Sequence, residues 1–166
     1  MKAPLNIIVI LFVIIMVSVF SYKAGKQQSS EEQIDKPERQ VLIDYIQKQR
    51  ADNKQIILNE KFGKNFSKMD LEGVNLAGVV ISDADFSYAN LRNTNFSNAK
   101  LTNINFKYAN LSRSNFDKAV IDNTDLSYAN LSKSSIKEAK FNNSILTYAD
   151  LQNSVIEKSV ITNTEL

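Results

Sequence analysis

From Phe66 to Leu166 every fifth residue is Leu, Phe or Ile, 21 positions in unbroken register. This spacing suits neither regular element. An α-helix turns about 100° per residue and would smear five-spaced side chains around its circumference. A flat strand would send alternate ones to opposite faces and leave half of them in water. The pattern therefore predicts a chain that bends after each five residues, so that four repeats close a square coil of 20 residues with every large side chain inside.

Two further periodicities support the coil. Tyr88, Tyr108, Tyr128 and Tyr148 recur at a spacing of 20, as do Asp83, Asn103, Asn123, Asn143 and Asn163 one corner earlier. Two residues before each large position lies a second inward site, and 16 of these 21 sites hold Ala, Ser or Thr. One bulky and one small residue per repeat fill a narrow interior, whereas two bulky ones would overpack it. The exceptions Lys64, Met69, Val74 and Val79 all fall in the first coil, with Ile104 the only later one.

The triplets Ala89-Asn90-Leu91, Ala109-Asn110-Leu111, Ala129-Asn130-Leu131 and Ala149-Asp150-Leu151 match a consensus of Ala-(Asp/Asn)-Leu followed by two variable residues. Over residues 66–166 the chain thus resembles the pentapeptide-repeat family. That resemblance implies an all-β solenoid, a right-handed quadrilateral β-helix of about five coils stacked roughly 4.8 Å apart. Each coil contacts only its neighbours, so both ends of the stack need covering.

The amino-terminal pattern differs. Leu5 to Phe20 is apolar apart from Asn6 and Ser18, near the lower limit for spanning a bilayer. Both an uncleaved anchor and a cleaved secretory signal fit such a start. The expected placement is the cytoplasmic (inner) membrane, single-pass, with the repeat domain periplasmic or extracytoplasmic. The expected organisation is a transmembrane or signal segment at 1–24, a linker at 25–36, a capping helix with an irregular first strand at 37–60, and the β-helix at 61–166. Pro37 suits a first helical turn. Val41, Leu42, Tyr45 and Ile46 form one apolar face behind it, suited to covering the open edge of the first coil.

At the other end Leu166 is itself an inward position, and the outward sites Ile145, Val155 and Val160 turn apolar. These predict an apolar tip covered by a partner or by a tail-to-tail homodimer.

Composition narrows the chemistry. With no His and no Cys, imidazole and thiolate catalysis, zinc clusters and disulfides are not available. No cofactor is expected, and the chain reads as non-enzymatic. Asp83, Asp85, Asp122 and Asp125 come near one corner and leave open a glycan- or cation-binding role. The resemblance also implies the DNA mimicry by which some family members protect type II topoisomerases. However, residues 66–166 carry ten Lys or Arg against eleven Asp or Glu, too balanced for a phosphate-like field, and a nucleic-acid role is not favoured. The favoured reading is a membrane-tethered scaffold that presents a rigid rod to an envelope protein. Its candidate contacts are Tyr88, Tyr108, Tyr128, Tyr148, Ile145, Val155 and Val160; Arg92, Arg113 and Lys133 line the corner after the tyrosines and make it mildly basic.

Overall fold

The computed structural model describes residues 39–165, which fall in one compact unit, Asp35–Leu166. Helix α1 (Arg39–Ala51) and the short helix α2 (Leu58–Phe62) precede seven three-residue strands. These are β1 (Val80–Ser82), β2 (Lys100–Thr102), β3 (Val120–Asp122), β4 (Ser135–Lys137), β5 (Lys140–Asn142), β6 (Val155–Glu157) and β7 (Val160–Thr162). The strands are short because a corner interrupts the chain every five residues. All pairing is parallel, with β1-β2-β3-β5-β7 along one side and β4-β6 along another. The register steps by 20 throughout, Ile81 to Leu101 to Ile121 to Phe141 to Ile161. From β1 to β7 the solenoid makes four turns. Single bridges continue the same stacking on the other sides, as in the column Asn65–Asp85–Asn105–Asp125–Ile145–Glu165.

The corners that do not follow one of the seven strands are hydrogen-bonded turns, closed by the N–H three residues beyond the large side chain donating back to its carbonyl. The N–H of Ala89 donates to the Phe86 carbonyl at 3.1 Å and that of Ala109 to the Phe106 carbonyl at 2.9 Å. The second residue after each large side chain has a positive φ, 59° at Tyr88 and 57° at Asn93, for example. A turn of this kind needs a left-handed residue at its third position, which Gly or Asn adopts with least strain. Where the residue before the large side chain is Asp or Asn, its side chain fastens the turn by accepting from the N–H two residues on. The Asn110 side-chain oxygen accepts from the Ser112 N–H and hydroxyl, and that of Asn130 does the same with Ser132. The Asp/Asn of the consensus is therefore a turn cap facing outward, and the Ala before it is the small inward filler.

The interior is a column of large apolar side chains with small residues beside them. Phe66 and Phe86 stack at 4.6 Å and Phe96 and Phe116 at 5.0 Å, and the large inward residues from Phe66 to Leu146 are buried. The register holds until the last coil, where Leu151 is half-buried and Ile156 and Ile161 are 45% and 41% exposed. An inward position is buried when a coil or the amino-terminal helices cover both sides of it, and β6 and β7 are each paired on one side alone.

At the opposite end Leu42 and Ile46 of α1 are buried and Tyr45 meets Phe62 edge-on at 5.2 Å, while Val41 is exposed. Elsewhere in the solenoid each corner carbonyl accepts from the N–H of the preceding coil, as Arg92 O does from Gly73 and Ser97 O from Gly78. For the first coil side chains take over that role. Arg39 donates to Glu72 O at 2.9 Å and Arg50 to Ala77 O at 2.8 Å. The Ile56 carbonyl and the Asn59 side-chain oxygen accept from Val80 and Ser82 on β1. Residues 56–58 form an isolated bridge, Ile57 to Val80, that runs directly into α2.

The single-pass inner-membrane placement is corrected. Among the described residues no helix is long and apolar enough to cross a membrane. Helix α1 has 13 residues, about 20 Å at 1.5 Å per residue, against roughly 30 Å of hydrocarbon. The segment 1–24, the linker 25–36, Pro37 and Leu166 lie outside the described residues.

Candidate functional site

The four tyrosines form the most regular exposed feature. Tyr88, Tyr108, Tyr128 and Tyr148 occupy one corner in successive coils, with ring centroids 4.9, 4.9 and 5.0 Å apart and planes within 19°. Their φ values are 59° or 60°. For a bulky residue this is a strained choice, about 1–2 kcal/mol above the right-handed region. Stacking contributes about 0.5–1.5 kcal/mol per ring pair in return. The rings remain 45–74% exposed, Tyr148 the most. Because neighbouring rings cover each other's faces, the ladder presents edges and hydroxyls to solvent.

The apolar sites at the other end do not form one patch. Ile145 lies one coil in, bridged to Asp125 and Glu165, and is half-buried. Val155 belongs to β6 and Val160 to β7, on adjacent sides of the last coil, and both are exposed. Ile156 and Ile161 join them at the tip. Register alone misses these two, because it marks which way a side chain points and not whether another coil covers it.

The four aspartates are spent on the fold. Asp85 and Asp125 cap the turns at Ser87 and Ser127. Asp83 accepts from Asn103 at 2.7 Å and lies 3.6 Å from Lys64, and the Asn143 amide donates to Asp122. The Asn103 hydrogen bond, and then the Lys64 charge, hold the Asp83 carboxyl below its ordinary pKa. Among the described residues no group of three or more carboxylates could hold a metal ion.

On the next corner Arg92 pairs with Glu72 at 2.6 Å. Arg113 and Lys133 sit on successive coils of that corner, the Arg113 N–H donating to Ser132 O at 2.9 Å. Neither has a salt-bridge partner among the described residues. A groove of about 390 Å³ opens between α1 and the first coil, lined by Arg39, Ile43, Ile46, Gln47, Arg50, Gly73, Val74 and Asn75. Its two arginines are already committed to the coil edge, so it reads as a seam of the cap.

The family described as Pentapeptide repeats (8 copies) matches residues 65–98 and 99–137. These residues belong to the pentapeptide-repeat family. The matched span holds Tyr88, Tyr108 and Tyr128 together with Arg113 and Lys133, so most of the surface just described is carried by pentapeptide repeats. Comparison with curated proteins gives no match. Among solved structures, a pentapeptide repeat protein from the Arabidopsis thaliana thylakoid lumen is 27% identical, with a TM-score of 0.48. The match covers 60% of this chain and 66% of that one, just under two thirds of its length. A pentapeptide repeat protein from Nostoc PCC 7120 is 20% identical with a TM-score of 0.44, over 68% of this chain and 93% of that one. QnrB1, a plasmid-mediated fluoroquinolone resistance protein, is 15% identical with a TM-score of 0.41, over 66% and 70%.

Proposed function

We propose that this pentapeptide-repeat domain is a non-enzymatic interaction module that presents a rigid lateral surface to a protein partner. The observation that carries this reading is the exposed tyrosine ladder. Four bulky rings occupy left-handed corner positions where Asn or Gly fits without strain, and they stay in water rather than in the core. Tyrosine is enriched at protein interfaces because it offers a large contact area with few rotatable bonds and a polar tip. A pre-formed ladder also lowers the entropy cost of ordering those rings on binding. The exposed Val155, Val160, Ile156 and Ile161 of the last coil are a second proposed contact, with another copy of the chain as its occupant.

The ladder is tested by placing a photo-reactive phenylalanine at Tyr128 and, as a control, at Asn123 one corner earlier. Irradiation in cells should yield one discrete cross-linked protein from position 128 and none from position 123. Equal products at both positions, or none at either, would sink the reading.

A further inference from the structure

Two rungs of the solenoid bring together features that the tyrosine ladder alone does not explain. Tyr108 and Tyr128 stack at 4.9 Å on one corner. Five residues further along the same two coils stand Arg113 and Lys133, on the next corner and one coil step apart. Like charges on neighbouring rungs repel one another, and no carboxylate among the described residues pairs with either. Asn110 and Asn130 fill the side between the corners, bridged to each other, with their oxygens occupied by Ser112 and Ser132. Of the acidic groups on this side, Asp150 is on the rung next to Asn130, with its side chain capping Gln152, and it forms an ion pair with neither cation. Asp70 and Glu72 are in the first coil, where Arg92 neutralises Glu72.

We infer that this strip, Tyr108 and Tyr128 with Arg113 and Lys133, is the docking site for an acidic, extended segment of a protein partner. The inference rests on the interaction-module reading and supplies its chemistry. A carboxylate pair would bridge the two cations and relieve their repulsion, and the Arg113 guanidinium can grip one carboxylate with two parallel hydrogen bonds. An apolar residue of the same segment would lie across the ring edges one side of the coil away. Nucleic acid fits less well. A rod with a net charge of -1 over residues 66–166 offers little counterion release, and self-stacked rings leave no gap for a base. A sugar ring stacks on an open aromatic face, and here Tyr108 and Tyr128 have a ring on both faces, which leaves a face without a ring neighbour only at the ladder's two ends, Tyr88 and Tyr148.

The test uses the full chain immobilised against a random twelve-residue phage-displayed peptide library. In parallel it uses the double variants Arg113→Gln/Lys133→Gln and Tyr108→Asn/Tyr128→Asn, in which Asn suits the left-handed corner and keeps the fold. The wild-type chain should enrich peptides with paired Asp or Glu next to an apolar residue. Both double variants should bind those peptides at least about tenfold more weakly, the charge variant losing the salt dependence as well. Enrichment that depends on the tyrosines but carries no acidic bias would overturn this inference and leave the ladder reading standing. Enrichment indifferent to all four residues, or none at all, would overturn both. Displacement of the selected phage by single-stranded DNA at equal concentration would reassign the strip to nucleic acid.

Discussion

At the residue scale, the five positions of the repeat divide into three jobs. The large side chain fills the column, the residue two before it fits beside it, and the Asp/Asn between them caps the turn. These jobs carry different costs when lost. Leu111 is fully buried among its neighbours, so Leu111→Ala should lower stability by about 2–5 kcal/mol, read from urea unfolding. Asn110→Ala removes the acceptor for Ser112 and a long amide contact to Asn90, and should cost about 0.5–1.5 kcal/mol in the same assay. Tyr128→Asn relieves a strained left-handed backbone while giving up two ring contacts, and the two terms are of similar size. Its thermal midpoint should stay within a few degrees of wild type, which separates the ladder's role in binding from its role in folding. Asp83 adds a pH term. A carboxyl held below its unfolded value stabilises the fold above that value, and the contribution disappears as pH falls through the lowered folded pKa. Asp83→Asn should therefore flatten the acid limb of the stability curve below about pH 4.

At the scale of elements, the helix that precedes the solenoid does more than cover apolar surface. Leu42 and Ile46 seal the column, and Arg39 and Arg50 donate to the two corner carbonyls that a preceding coil would otherwise satisfy. Arg50 is partly desolvated in this position, which lowers its pKa. Arg50→Met keeps the length of the side chain but orphans Ala77 O. It should cost about 1–3 kcal/mol and raise amide exchange in the first coil while leaving coils three and four protected. Uniform exchange changes along the whole solenoid would contradict this local role. The apolar face of α1 is legible as helical periodicity. The two arginines are not, because a long polar side chain on an exposed helix position has many uses and the spacing does not say which carbonyl it will meet.

At the scale of the molecule, the structure is a one-dimensional stack in which each coil is held by its neighbours. Removing residues 104–123 excises one complete coil and restores the same register, so the shortened protein should still fold cooperatively, with a lower midpoint by circular dichroism. Removing 104–121 instead shifts every later side chain by two positions and should abolish the cooperative transition. At the last coil, Val155→Lys with Val160→Lys should leave unfolding nearly unchanged, since both side chains are exposed. If a second copy covers this surface, the double variant should shift sedimentation from dimer to monomer; an unchanged sedimentation coefficient would remove the proposed self-contact.

The five-residue register by itself determined the solenoid, the 20-residue coil and which side chains face inward, because a period that fits neither helix nor flat strand leaves a turning chain as the only way to bury all of them. It also placed the tyrosines in one column. Tertiary stacking alone decided how those positions are used: that the rings lie face to face and show their edges, that Ile145, Val155 and Val160 fall on different sides, and that Ile156 and Ile161 emerge at the tip. Direction is a local property of the repeat, whereas exposure and charge pairing depend on what sits one coil above and below, 20 residues away along the chain.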